Sequence, residues 1–244
     1  MGRVITEICS VDDQIELVAG VDICEGIAND YPVFSNISVC DVKADVILDF
    51  SNAKAVDDLL VYSAEKQLPV VLCTTGLSEE QQKMVEEVSK QTAILKSANM
   101  SLGINLLMEL LRQAAVILAP AGFDMEIVEK HHNQKLDAPS GTALALADAM
   151  NGALKDAYTY QYDRTGRRQK RDPQEIGISA VRGGNIVGQH EVIFAGLDEV
   201  VAFEHTAYSR SVFAKGAVEA AKFLVGRPAG LYGMQDVIRA TMQK

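Results

Sequence analysis

The sequence lacks tryptophan altogether and holds only seven tyrosines and seven phenylalanines in 244 residues. With so few rings, a surface for stacking nucleic-acid bases is not expected. Positive charge is also in short supply, since 23 lysines and arginines stand against 33 aspartates and glutamates and leave a net charge of −10. A field of that sign repels phosphate backbones, so the composition argues against a general nucleic-acid-binding protein.

Cysteine and long apolar runs are scarce as well. All four cysteines lie in the first third of the chain and none has the spacing of a metal ligand, so we expect neither a metal site nor a disulfide framework. The first residues lack the apolar segment of a signal peptide. The most apolar stretch, 106–119, is interrupted by Glu109 and Arg112, which makes it too short and too charged to cross a bilayer. These absences favour a cytoplasmic protein with no membrane contact.

Short β-rich runs alternate with amphipathic helical segments in the first hundred residues. The expected strands are 16–22, 44–50, 68–74 and 93–97, and the expected helices are 53–67 and 79–91. The second helix begins with a capping-box pattern, Ser78 followed by Gln81. Apolar strands separated by helices are typical of a parallel sheet with helices on its faces, so the sequence predicts an α/β, Rossmann-type dinucleotide-binding domain.

The pattern changes near residue 101. The expected elements are a helix at 102–118, a strand at 124–131, a helix at 140–154, and strand-like runs at 175–182, 188–194 and 199–206. Because no helices separate these three runs, they indicate an antiparallel or mixed sheet and hence an α+β domain. Helices at 212–225 and 234–241 close the chain, and we expect them to return to the first domain. The predicted domains are 1–101 with 212–244, and 102–211.

Candidate cofactor residues follow the predicted strands of the first domain. Asp22 ends a strand at about 20 residues from Gly2, the usual spacing between a glycine turn and the acid that binds ribose, although only Met1 and Gly2 could belong to such a turn. Thr74–Gly76 and Ser97–Asn99 follow later strands, at the sheet edge where open parallel sheets bind ligands. Ordinary turns and a helix cap are the alternative explanation of these residues.

The segment Glu129–Thr142 is the richest in chemistry. It places two of the four histidines of the chain, His131 and His132, beside Lys135, and an imidazole can donate or accept a proton near neutral pH. Pro139–Thr142 then opens a helix whose free amides and dipole can bind an anion. Proton donors beside an anion site suit a small carboxylate substrate. The alternative is a capped helix after a polar loop with solvated histidines.

The same segment, EKHHNQKLDAPSGTA at 129–143, resembles the signature of the dihydrodipicolinate reductase family, also called 4-hydroxy-tetrahydrodipicolinate reductase. Further similar motifs, in family order, are Asp49–Ser51, Thr74–Gly76, Ser97–Gly103, Val181–Gly188 and Leu231–Tyr232. The resemblance therefore covers essentially the whole chain. It implies reduction of a cyclic imine dicarboxylate by NADH or NADPH to tetrahydrodipicolinate, in the diaminopimelate route to lysine. It also implies a cytoplasmic homotetramer assembled through the sheets of the second domain.

The resemblance implies roles for individual residues. His131 would be the acid/base and Lys135 the proton donor, while His132, Gly141 and Thr142 would hold the substrate carboxylates. The residues implied on the cofactor side are Met1, Asp22, Cys73, Thr74, Thr75, Ser97, Ala98, Asn99 and Met100. A positioned acid and a cation suit the reaction, because hydride addition leaves an enamine that must be protonated on a neighbouring carbon.

Departures from the family pattern concern the cofactor site. Cys73 stands where the family usually has glycine, and Met100 where phenylalanine is frequent. Ile23 follows Asp22 where some members have an arginine for the NADP phosphate; since Asp22 alone repels that phosphate, we expect a preference for NADH. The family's first strand and G-x-x-G-x-M-G turn are missing ahead of Arg3. We therefore expect Met1 to be an internal methionine, and the chain as written to bind cofactor poorly and expose two strand edges.

Other functions stay open from the sequence. The missing turn suits a non-catalytic, tetrameric relative that binds dicarboxylates but binds cofactor poorly. A dehydrogenase of an aspartate-derived semialdehyde would need a catalytic cysteine or lysine elsewhere. Nucleic-acid binding through the five basic residues of 164–171 is opposed by the net charge, so we interpret that segment as a solvated loop near the active site.

Overall fold

The computed structural model of the chain describes residues 1–24, 29–97 and 99–242. Two compact units are present: Met1–Ser101 together with Ser211–Lys244 (unit 1), and Leu102–Arg210 (unit 2). Each unit has hydrophobic core clusters of its own. Within the described residues, no helix is long and apolar enough to cross a membrane.

The first part of unit 1 alternates helices with short parallel strands. Its elements are α1 (Gly2–Cys9), β1 (Gly20–Val21), β2 (Val33–Phe34), β3 (Ile47–Asp49), α2 (Val56–Lys66), β4 (Val70–Leu72), α3 (Glu79–Ser89) and β5 (Ala93–Lys96). β3 pairs with β4 and β4 with β5, all in parallel, while β1 pairs in parallel with β2 in a separate two-stranded sheet. Val70, Leu72 and Ile94 are fully buried because α2 and α3 pack against them.

Two details of this part bear on the sequence predictions. The capping box is confirmed, since Ser78 Oγ accepts from the amide of Gln81 at 3.2 Å and Gln81 Oε1 accepts from the amide of Ser78 at 3.1 Å. The strand predicted at 16–22 is too long, because β1 comprises only Gly20–Val21. Ile15 and Leu17 instead pack against the core cluster formed by α1, where their apolar side chains are partly buried without strand pairing.

Unit 2 is a five-stranded mixed sheet with two helices packed on one face. Its elements are α4 (Leu102–Leu118), β6 (Asp124–His131), α5 (Gly141–Ala153), β7 (Thr159–Gln161), β8 (Glu175–Arg182), β9 (Gly188–Ala195) and β10 (Val200–Ala207). The strand order is β10-β9-β6-β8-β7. Because side chains alternate along β6, Met125 and Ile127 join Leu111 and Leu146 in the core while Glu126 points to the opposite, open face. The predicted class, an α/β domain with a second α+β domain, is confirmed.

The pairing of β8 makes the sheet mixed, one of the two arrangements that the sequence left open. Instead of forming an antiparallel layer with the two following strands, β8 lies parallel to β6 and β7, and β6 separates it from β9. β9 and β10 do form the expected antiparallel pair. The physical reason is the loop 183–187, which crosses the end of β6: Gly183 N donates to His131 O at 2.9 Å and Asn133 N donates to Gly184 O at 3.2 Å. Gly184 has a φ of +49°, which favours glycine.

The segment 164–171, which we expected to be a solvated loop, is bound to the sheet through three of its five basic side chains, so that expectation is wrong for these three. β7 precedes the segment. Three of its basic side chains bind carboxylates of β6 and β8 at 2.6–3.1 Å, namely Arg164, Arg167 and Arg171 with Glu126 and Glu175. This pairing engages three of the five basic side chains on which the nucleic-acid alternative depended.

The last segment of the chain belongs to unit 1. α6 (Ser211–Leu224) buries Ala214 and Val218 against Ile5 and Cys9 of α1. β11 (Gly230–Tyr232) pairs in parallel with β5, and α7 (Met234–Met242) follows. The larger sheet of unit 1 therefore has four parallel strands in the order β11-β5-β4-β3, whose carboxyl ends share one edge.

Candidate active site

Several predicted cofactor residues surround a cleft at the carboxyl ends of β4 and β5. Thr74, Thr75 and Gly76 follow β4, Lys96 and Ser97 lie at the end of β5, and together they line a volume of about 490 Å³. Gly76 has a φ of +74°, which lets the backbone turn sharply after the strand. Hydroxyls, amides and one ammonium at this edge of a parallel sheet fit the phosphates and amide of a nicotinamide nucleotide.

The remaining cofactor candidates lie at other strand ends of unit 1. Asp22 follows β1, and its Oδ1 accepts from the amide of Cys24 at 2.9 Å. Ser97 Oγ donates to the carbonyl of Asn99 at 2.9 Å, and Met100 is buried. These contacts show local turns, which leave the ribose and nicotinamide roles of these residues as predictions.

Cys73, Met1 and Ala98 complete the predicted cofactor set. Burial and the neighbouring Asp49 carboxylate raise the pKa of the Cys73 thiol, so it stays protonated at neutral pH and is a poor nucleophile. Met1 is exposed ahead of α1. Ala98 lies outside the described residues.

In unit 2, His131 ends β6 and is held by a buried carboxylate. Its Nδ1 lies 2.6 Å from Oε2 of Glu129, two residues earlier on the same face of the strand. Glu129 has no exposed surface and His131 is 8% exposed. The imidazole is thus enclosed on its Nδ1 side by the protein.

Glu129 is itself bound by donors from two further elements. Arg182, at the end of β8, donates to both carboxylate oxygens at 2.7 Å, and the amide of Ser140 donates to Oε1 at 3.0 Å. Burial raises the pKa of Glu129, but the hydrogen bonds from Arg182, His131 and Ser140 outweigh it and leave that pKa below its usual value. Glu129 is therefore ionised at neutral pH.

His190 packs beside this group from β9. Its ring lies edge-on to His131, with centroids 5.1 Å apart and an interplanar angle of 73°, and its Nε2 is 3.1 Å from Oγ of Ser140. Burial first, and then the charge of His131, lower the pKa of His190 to about 4. His190 is therefore neutral at pH 7, and it adds bulk rather than charge beside His131.

The predicted substrate residues occupy the loop and helix start that follow β6. Lys135 Nζ forms an ion pair with Oδ1 of Asp137 at 2.9 Å. Ser140 caps α5 by accepting from the amide of Ala143 at 3.1 Å, and Gly141, the first residue of the helix, is exposed. Residues His132 and Thr142 are partly exposed. The imidazole, the ammonium and the helix start thus belong to one continuous segment of unit 2.

Three members of this group were given no role in the sequence prediction. Glu129 could have been found from its i, i+2 spacing to His131, which places both on one face of a strand. Arg182 and His190 carry no local signal, since their position depends on the pairing of β8 and β9 with β6. Among the described residues, no group of three or more His, Cys, Asp or Glu could hold a metal ion.

Two sequence models of one family match the chain. The model described as "Dihydrodipicolinate reductase, N-terminus" covers residues 1–100, and "Dihydrodipicolinate reductase, C-terminus" covers residues 103–238. The chain belongs to the dihydrodipicolinate reductase family. The membership inferred from the 129–143 motif is thereby confirmed.

Relatives in the reductase family match nearly the full length. A 4-hydroxy-tetrahydrodipicolinate reductase of Caldanaerobacter subterraneus subsp. tengcongensis is 51% identical over 98% of this chain and 94% of its own. The enzyme of that name from Clostridium tetani is 50% identical over 98% of this chain and 93% of its own. A dipicolinate-bound dihydrodipicolinate reductase from Paenisporosarcina sp. TG-14 has the same fold, with a TM-score of 0.80 and 24% identity over 96% of this chain and 94% of that one.

Membership of the reductase family makes the chain an oxidoreductase, and the family together with the Rossmann-type fold implies a nicotinamide cofactor. The fold itself is confirmed by the reductase structure above. No feature of the described residues favours the non-catalytic alternative.

Proposed function

We propose that this chain reduces 4-hydroxy-tetrahydrodipicolinate to tetrahydrodipicolinate with NADH or NADPH, in the diaminopimelate route to lysine. The observation that carries the proposal is the segment from His131 to Thr142, where a buried carboxylate holds an imidazole and the same segment supplies an ammonium and a helix start. Relatives about half identical over 98% of the chain have this activity as their name.

In the proposed reaction the 4-hydroxyl group leaves as water, and a reduced nicotinamide, when bound, would supply hydride to the conjugated imine that remains. His131 and Lys135 provide a proton for the neighbouring carbon of the substrate, and their positive charge stabilises the negative charge that develops there. His132 holds one carboxylate, and the amide of Gly141 with the hydroxyl of Thr142 holds the other at the start of α5, where the helix dipole favours an anion. The small dicarboxylate is thereby oriented for protonation.

Cofactor binding is proposed for unit 1. The residues around the cleft after β4 and β5, including Thr74, Thr75 and Ser97, would hold the nicotinamide end, and Asp22 the adenosine ribose. Because Ile23 follows Asp22 and offers no cation for a 2′-phosphate, we propose that NADH is preferred. The ratio of kcat/KM for NADH and NADPH tests this, and a strong NADPH preference would contradict it.

An assay tests these catalytic roles: substrate is generated enzymatically, and oxidation of the reduced nicotinamide is followed by its absorbance. His131→Gln and Lys135→Ala should each lower kcat by about 10²-fold or more, the usual contribution of general acid–base catalysis, with little change in cofactor affinity. Lys130→Ala, on the open face of β6, is the matched control and should keep wild-type kcat. If neither His131→Gln nor Lys135→Ala slows the reaction, the proposed mechanism is wrong.

We further propose a cytoplasmic homotetramer, as the family resemblance implies. The open face of the unit 2 sheet supports this assembly, because apolar side chains such as Val181 and Val200 are 44% and 63% exposed there. A sheet face of this kind gains by burying its apolar surface against another copy.

A further inference from the structure

We propose that Glu129 and Arg182 form a positioning pair that sets the tautomer and orientation of His131 for proton transfer. The proposal rests on the reductase function proposed above and assigns a role to two residues which that function does not use. Glu129 is completely buried. It therefore acts through His131 rather than by touching a substrate.

The first step of the argument is the charge on Glu129. Arg182 donates to both of its oxygens at 2.7 Å, in the two-pronged geometry that suits a guanidinium and a carboxylate. The amide of Ser140 adds a third hydrogen bond. A buried carboxylate with this set of donors is compensated as an anion. Both of its oxygens can then only accept hydrogen bonds.

The second step is the tautomer of His131. Since Glu129 Oε2 can only accept, the imidazole must donate from Nδ1 across the 2.6 Å contact. Nε2 is then the nitrogen left to exchange a proton with a substrate. Gly188 lies beside it, where a Cβ atom would come within 3.1 Å of Nε2. A glycine at this position therefore keeps the reactive side of the ring open.

The third step links the imidazole to the proposed carboxylate site. Glu129 binds His131 through Oε2 and the amide of Ser140 through Oε1. Ser140 in turn caps α5, at whose start Gly141 and Thr142 lie. One buried carboxylate thus fixes the acid/base and the helix start relative to each other. Such an arrangement can hold a proton donor and a bound dicarboxylate in register.

The tautomer can be read directly by 15N NMR of the full chain labelled at histidine. The sequence has four histidines, so the spectrum is simple, and the His131→Gln variant assigns the signal. At a pH high enough for neutral imidazoles, His131 should show a protonated Nδ1 and an unprotonated Nε2. A protonated Nε2 would overturn the proposal whatever the activity of the enzyme.

The kinetic test uses Glu129→Gln. The glutamine NH2 group meets a donor at either oxygen position: at the Oε2 position it faces His131 and favours the other tautomer, and at the Oε1 position it faces the Ser140 amide and breaks the link to α5. The analogous change in a serine-protease triad costs about 10⁴-fold in kcat. We expect kcat to fall by at least about 100-fold while KM values and dipicolinate affinity stay within about threefold, because the substrate contacts remain. Glu129→Asp, which keeps the charge, should recover about tenfold of the loss.

Glu126→Gln is the matched control. Glu126 lies on the same strand and binds Arg164 and Arg171 at 2.6 and 2.9 Å, but on the open face, away from His131. This variant should lose thermal stability and keep its kcat and His131 tautomer. A kcat for Glu129→Gln no lower than that of Glu126→Gln, or a loss confined to KM, would overturn the proposal. If Glu129→Gln does not fold, two other measurements test the proposal: the kcat of Arg182→Lys and the tautomer of His131 in the wild-type chain.

The outcomes separate this proposal from the proposed function. A wild-type chain that does not consume cofactor with substrate contradicts the reductase function, and the tautomer measurement still judges the Glu129–Arg182 pair. An active chain whose His131 carries its proton on Nε2 contradicts the pair and leaves the function standing.

Discussion

At the scale of single residues, the proposed proton donor Lys135 is already bound by a carboxylate of the chain itself, that of Asp137. Lys135 binds Asp137 at 2.9 Å, and this hydrogen bond is the main cause that lowers the pKa of Asp137, with a smaller part from the amide of Gly141. A substrate carboxylate that binds the Gly141 amide must displace Asp137 from it, and Lys135 must leave Asp137 before it can act on the substrate. Asp137→Asn should therefore bind dipicolinate about threefold to fivefold more tightly, since an exposed ion pair is worth at most about 1 kcal/mol.

Calorimetric titration of dipicolinate measures this competition at the Lys135 site. Asp198→Asn, an exposed acid in the turn between β9 and β10, is the control and should leave affinity unchanged. Weaker binding to Asp137→Asn would show that Asp137 orients Lys135 instead of competing for it.

The same scale shows how far residue patterns can predict a site. His131, Lys135 and Thr142 could be predicted because one contiguous segment brings them together. Arg182 and His190 could not, since the register of β6 with β8 and β9 is what places them beside Glu129. Local spacing thus selects the candidate residues, whereas the groups that contact them from distant strands depend on strand register.

At the scale of elements, the segment 164–171 is bound to the sheet beside a glycine. A Cβ atom on Gly177 of β8 would lie 1.8 Å from Oε2 of Glu126 and 2.7 Å from Arg164, so an alanine there displaces the ends of both side chains. Gly177→Ala should lower the free energy of unfolding by about 1 kcal/mol, because it overpacks a paired network. Urea denaturation measures the loss. Gly152→Ala is the control, since no atom lies within 4 Å of that Cβ position and alanine suits a helix.

Glu175 gives this network a pH dependence. Burial raises the pKa of Glu175, but the hydrogen bonds from Arg164 and Arg167 outweigh it and leave that pKa below its usual value. The stability it contributes is present above the unfolded pKa of about 4.3 and is lost as pH falls through the lower folded value. Glu175→Gln should thus be less stable than wild type by about 2 kcal/mol at pH 7. The difference should shrink as the pH falls below 4, and a constant gap would contradict this account.

How well the predicted element boundaries match the structure depends on the length of the element and on where its strand-pairing partners lie in the chain. The helix at 102–118, the strand at 124–131 and the strand at 175–182 were predicted with the bounds that the structure shows, because each is long and strongly patterned. β1 has two residues and was predicted with seven. The position of β8 could not be predicted, since the Gly183–Val187 crossing over β6 depends on hydrogen bonds to His131 and Asn133.

At the scale of the whole molecule, the net charge of −10 opposes the binding of a dianionic substrate. Lys135 and the α5 helix start supply positive charge locally, within one segment of unit 2. Arg164 and Arg171, by contrast, are bound to Glu126 on the open face of the sheet. Distribution rather than total charge therefore determines what this acidic protein can bind.

The proposed tetramer can be tested through the open face of the unit 2 sheet, which carries exposed apolar side chains. Sedimentation of the wild-type chain should give four times its mass of 26.4 kDa. Val181→Asp, on the open face near the end of β8, should dissociate the assembly at micromolar concentration without unfolding it, because an interface buries an unpaired carboxylate only at a cost of several kcal/mol. Val61→Asp, at a valine 47% exposed on α2 of unit 1, is the matched control and should stay assembled. A monomeric wild type, or a Val181→Asp variant with unchanged sedimentation, would show that this face does not carry the contact.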